Sequence, residues 1–171
     1  MHREGQNLKN RLYMKSLELK INYMEYDSLD ELSTEDRELA QAALGAIRGA
    51  YSPYSHFNVG AAVRLSTGEI VIGANQENIA FPSGLCAERT AMFHAGATRP
   101  DAAMSALAVA AEQDGKVCAF PATPCGACRQ VMAQYQARSG KPMEVLLVGS
   151  EKIWKFSRVD DILPFIFDSL K

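Results

Sequence analysis

From Phe57 to Val148 the sequence alternates short β-prone runs with helix-length stretches, an order that restricts the chain to a sheet with helices laid on it. Phe57–Leu65 and Ile70–Ala74 are separated by Ser66-Thr67-Gly68-Glu69, a short glycine-bearing connection that reads as a hairpin. A predicted helix over 85–97, a strand over 106–111, a helix over 126–138 and a strand over 145–148 follow. Strand–helix alternation predicts parallel pairing in this second half, whereas the hairpin is antiparallel.

Upstream, Ser33 is a helix N-cap with acidic Glu35 and Asp36 in the first turn, and Leu39, Ala43 and Ile47 recur every four residues behind it. Gly49 and Ser52-Pro53 end this helix, because proline disfavours helical geometry in the residue before it. Residues 1–33 read as an N-terminal extension. In Leu17-Glu18-Leu19-Lys20-Ile21-Asn22-Tyr23 the apolar residues alternate, which predicts an edge strand. Met14 stands just before it as a second candidate start of translation, and His2 is expected to be disordered. Residues 34–171 are expected to form one domain, since no repeat or Pro/Gly/Ser-rich linker divides them.

With 18 Lys+Arg against 20 Asp+Glu, the chain has no global basic field to hold a phosphate backbone, which disfavours a nucleic-acid partner. The first seven residues carry charges of both signs and lead into no apolar run, unlike a secretory signal, so the expected compartment is the cytoplasm. The most apolar stretch, residues 102–111, is too short to span a bilayer and argues against a membrane partner. In a reducing compartment the four cysteines are read as metal ligands, catalytic groups or core filling rather than disulfides.

Three of them are patterned. Cys86-Ala87-Glu88 and, 39 positions after Cys86, Pro124-Cys125-Gly126-Ala127-Cys128 each open a predicted helix. Helix dipoles and unpaired N–H groups favour thiolates there, so Cys86, Cys125 and Cys128 are candidate ligands of one Zn²⁺. Three protein ligands leave a fourth tetrahedral position for water, which distinguishes a catalytic zinc from a closed structural one. Glu88, two residues past a ligand, is placed to move protons without ligating the metal. Arg89 is a candidate donor to the sulfurs, offsetting the net charge of three thiolates on one Zn²⁺.

Blander readings compete. A lone Cys-x-x-Cys is ambiguous between zinc, a redox pair and core filling, but redox chemistry does not call for Cys-Ala-Glu upstream. A structural zinc module would need a fourth ligand. His94 lies more than two helical turns beyond Cys86, His56 is a loop residue before Phe57, and Cys118 has no regular partner and reads as a small apolar side chain.

Taken with Ala50-Tyr51-Ser52-Pro53-Tyr54-Ser55-His56-Phe57, Asn75-Gln76-Glu77-Asn78, Cys86 to Ala91, Pro124 to Gln130 and the tail Leu163-Pro164-Phe165-Ile166-Phe167, these motifs resemble the cytidine deaminase family over residues 34–168. The resemblance is to its homotetrameric, three-cysteine members. It implies a three-layer α/β/α fold on a mixed, mostly parallel five-stranded sheet, with the N-terminal edge strand added.

It further implies one zinc per chain and hydrolysis of cytidine and 2′-deoxycytidine to the uridines with release of ammonia, in pyrimidine salvage. By the same resemblance Phe57 is the aromatic wall of the nucleoside pocket, and Asn75 and Glu77 are ribose partners. The Ala87 N–H would hold the pyrimidine O2, the Thr123 carbonyl the 4-amino group, and Phe167 would enter a neighbouring subunit's site. Phe81 departs from the tyrosine of many members, so a hydroxyl is missing there.

An alternative within the same chemistry is a blasticidin-type aminonucleoside deaminase, against which the Asn75 and Glu77 pair argues. A nucleic-acid-editing deaminase is disfavoured because histidine usually stands where this chain has Cys86, and by the net charge of -2.

Overall fold

The computed structural model describes residues 15–168, so His2 and Met14 lie outside it. In chain order the elements are β1 (Met24–Tyr26), α1 (Thr34–Ala46), β2 (Phe57–Leu65), β3 (Ile70–Ala74), α2 (Ala87–Thr98), β4 (Met104–Gln113), β5 (Lys116–Val117), α3 (Gly126–Ser139), β6 (Glu144–Val148) and β7 (Ile153–Phe156). Among the described residues no helix is long and apolar enough to cross a membrane.

The strands form one mixed sheet in the order β1-β7-β6-β4-β2-β3, with β5 paired to β4. The α/β class and the β2–β3 hairpin agree with the sequence reading, but the sheet has seven strands rather than five. Among the described strands only β4 and β6 pair in parallel, so the sheet is mostly antiparallel rather than mostly parallel as expected. The chain leaving α2 does not continue beside β3; it crosses to the far side of β2 and runs antiparallel to it. After β6, a tight turn in which the Gly149 N–H donates to the Lys152 carbonyl at 2.9 Å returns the chain as β7, another antiparallel neighbour. The expected edge strand over 17–23 is also displaced: those residues are exposed, and β1 is the following Met24–Tyr26, paired with β7.

Side-chain alternation builds a core on each face of the sheet. Ala62, Ala108 and Leu146 point to α1, where Leu39, Ala43 and Ile47 meet them. Val63, Leu107, Val109, Val145 and Leu147 point the other way, to Ala91 and Met92 of α2 and Met132 of α3. Ser33 caps α1 as expected, its hydroxyl accepting from the Asp36 N–H at 3.1 Å.

Two glycines let helices lie directly on the sheet. A Cβ at Gly60 would overlap the Ala43 carbonyl of α1, and one at Gly73 would stand 2.9 Å from the Ala87 carbonyl and closer still to the Ala91 nitrogen of α2. The second contact sets the height of α2, and therefore the place of the residue that begins it.

Candidate active site

That residue is Cys86, the N-cap of α2; Cys125 is likewise the N-cap of α3, and Cys128 lies in the first turn of α3. The Cys86 and Cys125 sulfurs are 3.9 Å apart, and those of Cys125 and Cys128 are 3.5 Å apart. All three lie within 4.8 Å of one another. Tetrahedral zinc with bonds of about 2.3 Å holds its sulfurs about 3.8 Å apart, close to the two shorter separations here, so this donor set fits Zn²⁺. Cys128 is buried and Cys125 is exposed, which leaves the cluster open on one side.

Without a cation Cys86 and Cys128 hold their protons unequally. The Cys128 thiol, donating to Cys86, lowers the Cys86 pKa to about 5, and Arg89 and Cys125 add to the effect. The same contact, together with burial, pushes Cys128 up. Ligation reverses this for Cys128, because a zinc-bound cysteine is a thiolate. Arg89 faces Cys86, its Nη2 lying 3.7 Å from the sulfur, while its buried Nε has no partner among the described residues.

Glu88 is 4 % exposed, in the first turn of α2. Burial raises its carboxyl pKa above the ordinary value, and the negative charge of Cys86 adds to the shift. The N–H of the fully buried Ala87 belongs to the same helix start. Thr123 is exposed in the segment before Cys125. Arg129 braces that segment, with Nε donating to the Pro124 carbonyl at 2.7 Å and Nη1 to the Ile162 carbonyl at 2.9 Å. Cys118 and His94 are not part of the sulfur cluster, and His94 is exposed on α2.

Asn75 and Glu77 follow β3 and reach back to the start of β2. Asn75 is buried, its Oδ1 accepting from the Val59 N–H at 2.8 Å and its Nδ2 donating to the Phe57 carbonyl at 2.9 Å. Each group keeps one further hydrogen-bonding position. Glu77 Oε2 accepts from the N–H groups of Tyr54 and Ser55, and the Ser55 side chain, with these amides, lowers its pKa below the ordinary value. This anchoring of residues 52–56 was not anticipated from the sequence. The only signal there is His56, which takes the left-handed conformation (φ 55°) immediately before Phe57.

Phe167 is not brought to its own chain's thiols. Its ring is largely exposed, and its main chain is clamped by Gln130 of α3, whose Nε2 donates to the Phe167 carbonyl at 2.7 Å and whose Oε1 accepts from the Phe167 N–H at 3.3 Å. Among the described residues the tail holds no helix beyond the short turn Val159–Asp161.

Two thiol-bearing helix starts facing each other beside a buried carboxylate define a zinc-dependent hydrolase site on a mixed α/β sheet. Residues 33–140 match the model of the cytidine and deoxycytidylate deaminase zinc-binding region, and the chain belongs to the cytidine deaminase family.

The chain is 45% identical over 100 residues to the cytidine deaminase of Halalkalibacterium halodurans, covering 58% of this chain and 71% of that one. It is 33% identical over 126 residues to a probable cytidine deaminase of Dictyostelium discoideum, covering 74% and 79%. The crystal structure of cytidine deaminase from Burkholderia pseudomallei superposes with a TM-score of 0.66 at 40% identity, over 76% of this chain and 97% of that one. The Mycobacterium tuberculosis enzyme gives 0.62 at 31% identity, over 80% and 100%.

Proposed function

We propose that this chain hydrolyses cytidine and 2′-deoxycytidine to uridine and 2′-deoxyuridine, releasing ammonia, and that it does so in cytoplasmic pyrimidine salvage. The observation that carries this reading is the three-sulfur cluster with buried Glu88 two residues from one of its members. Cys86, Cys125 and Cys128 would hold one Zn²⁺ per chain. When bound, the ion supplies Lewis acidity that brings the pKa of water down to about 7 and so provides a nucleophile at neutral pH.

The residues of the chain do the rest. Glu88 accepts one proton of the attacking water and passes it to N3 of the ring; it then takes the proton of the new C4 hydroxyl and delivers it to the 4-amino group as the C4–N bond breaks, C4=O forms and ammonia leaves. Ala87 N–H holds O2, and the Thr123 carbonyl accepts from the amino group. Arg89 steadies the Cys86 sulfur. Phe57 covers the nucleoside, and Asn75 and Glu77 bind the sugar hydroxyls with the positions their structural hydrogen bonds leave over. Phe167, exposed and clamped by Gln130, completes the site of an adjoining copy in a homotetramer.

The test is incubation with cytidine while cytosine absorbance and ammonia are followed, on protein whose zinc content has been measured. Zinc near one per chain with one ammonia per uridine is expected. Zinc-loaded protein that releases no ammonia from either nucleoside would overturn the reading.

A further inference from the structure

Residues 15–22 lead into β1 as exposed backbone with no regular secondary structure, and among the described residues their main chain has no hydrogen-bonded partner. Tyr23 anchors the end of this arm, stacking on Phe156 at 5.3 Å and meeting Trp154 edge-on at 5.7 Å. Beyond it Leu17 and Leu19 are 87% and 61% exposed, and Ile21 is exposed as well. A strand-patterned segment with a free edge and an apolar face is a template for another strand.

The sequence of the arm selects which strand. Reversed about Leu19, it is complementary to itself: Glu18 of each copy falls opposite Lys20 of the other, Leu17 opposite Ile21, Ser16 opposite Asn22, and Leu19 opposite Leu19. Apolar residues then meet on one face and opposite charges on the other. Moving the axis to Lys20 or to Glu18 sets that charge against its own copy, and a parallel in-register pair does so at both positions. A half-residue shift mismatches the two faces throughout.

We propose that residues 15–23 of two copies pair as antiparallel strands about a two-fold axis at Leu19, making the arm an interface between copies of this chain. The β1 edge that carries the arm is at the opposite side of the sheet from β3, on which the thiol-bearing α2 lies. The contact is therefore independent of the catalytic reading.

Cysteine cross-linking on the full chain reads the register directly, with the unmutated chain under the same oxidant as baseline. Opposite residues of an antiparallel pair lie about 4.5–5.5 Å apart at Cα, within the roughly 4.4–6.8 Å that a disulfide spans. Leu19→Cys should yield covalent dimer above baseline, Leu17→Cys should not, and Leu17→Cys/Ile21→Cys should. Equal cross-linking of both single variants, or of neither, would overturn the proposal.

Sedimentation supplies the second arm of the test. Glu18→Lys and Lys20→Glu should each weaken association roughly tenfold by setting like charges opposite each other at two positions per dimer. The double exchange Glu18→Lys/Lys20→Glu should restore it, with deamination unchanged in all three. A double variant no stronger than the singles would contradict the pairing.

Discussion

Glu77 Oε2 lies 2.9 Å from the backbone nitrogen of Tyr54, so a carboxylate placed to bind a sugar also fastens the loop that leads into Phe57. Glu77→Ala should therefore raise KM for cytidine and lower kcat/KM while leaving zinc content unchanged. Unaltered kinetics would leave Glu77 no part in the pocket.

The same contact is sensitive to acid. The hydrogen bonds favour the carboxylate, so the folded pKa of Glu77 lies below its ordinary 4.5. The anchor is fully present above that ordinary value and is lost as pH falls through the depressed folded value. Amide exchange at Tyr54 and Ser55 should stay slow at neutral pH and quicken only below about 4.5 beyond the intrinsic rate. In Glu77→Gln that added acid dependence should vanish.

Glu88→Gln should keep fold and zinc and lose about 10²–10⁴-fold in turnover, because the amide cannot accept and return a proton. Near-wild-type kcat in a zinc-replete variant would assign the proton to another group.

Cys125→Ala should lose zinc and activity, whereas Cys118→Ser, outside the sulfur cluster, should keep both. Metal analysis of the two purified variants decides this, and the opposite pattern would move the metal site.

Gly73→Ala tests the seat of α2. The added methyl meets helix backbone rather than a mobile side-chain end, so about 1–3 kcal/mol of stability should be lost. The displaced Cys86 should weaken zinc retention in the same variant. Unchanged melting and metal affinity would show that the helix moves freely on β3.

The parts of this molecule governed by local pattern were legible in the sequence. Phe57–Leu65 and Ile70–Ala74 are β-prone runs on either side of a short glycine-bearing turn, and Ser33 has its acidic first turn. The thiol motifs declared themselves because both open helices. What depended on a distant partner did not. In β7 only Ile153 and Phe156 are buried, and the strand exists because β6 lies beside it. The N-terminal strand falls at Met24–Tyr26, where Glu25 accepts from the Trp154 indole at 2.8 Å, rather than at the better-patterned residues before it. Glu77 hid its anchoring role because its acceptors' partners are backbone amides 22 and 23 residues upstream, which no side-chain motif marks.

Arg129 ties Pro124 to Ile162, and this bridge gives the order of synthesis a meaning for the site. A nascent chain that has emerged through residue 139 already holds all three thiols, Glu88 and the Arg129–Pro124 contact, yet the tie that fixes Arg129 itself is not made until residue 162 has been added. The scaffold of the metal site is thus finished late, after the rest of the sheet, and a chain stalled short of Ile162 carries the three thiols and Glu88 on a half-braced frame.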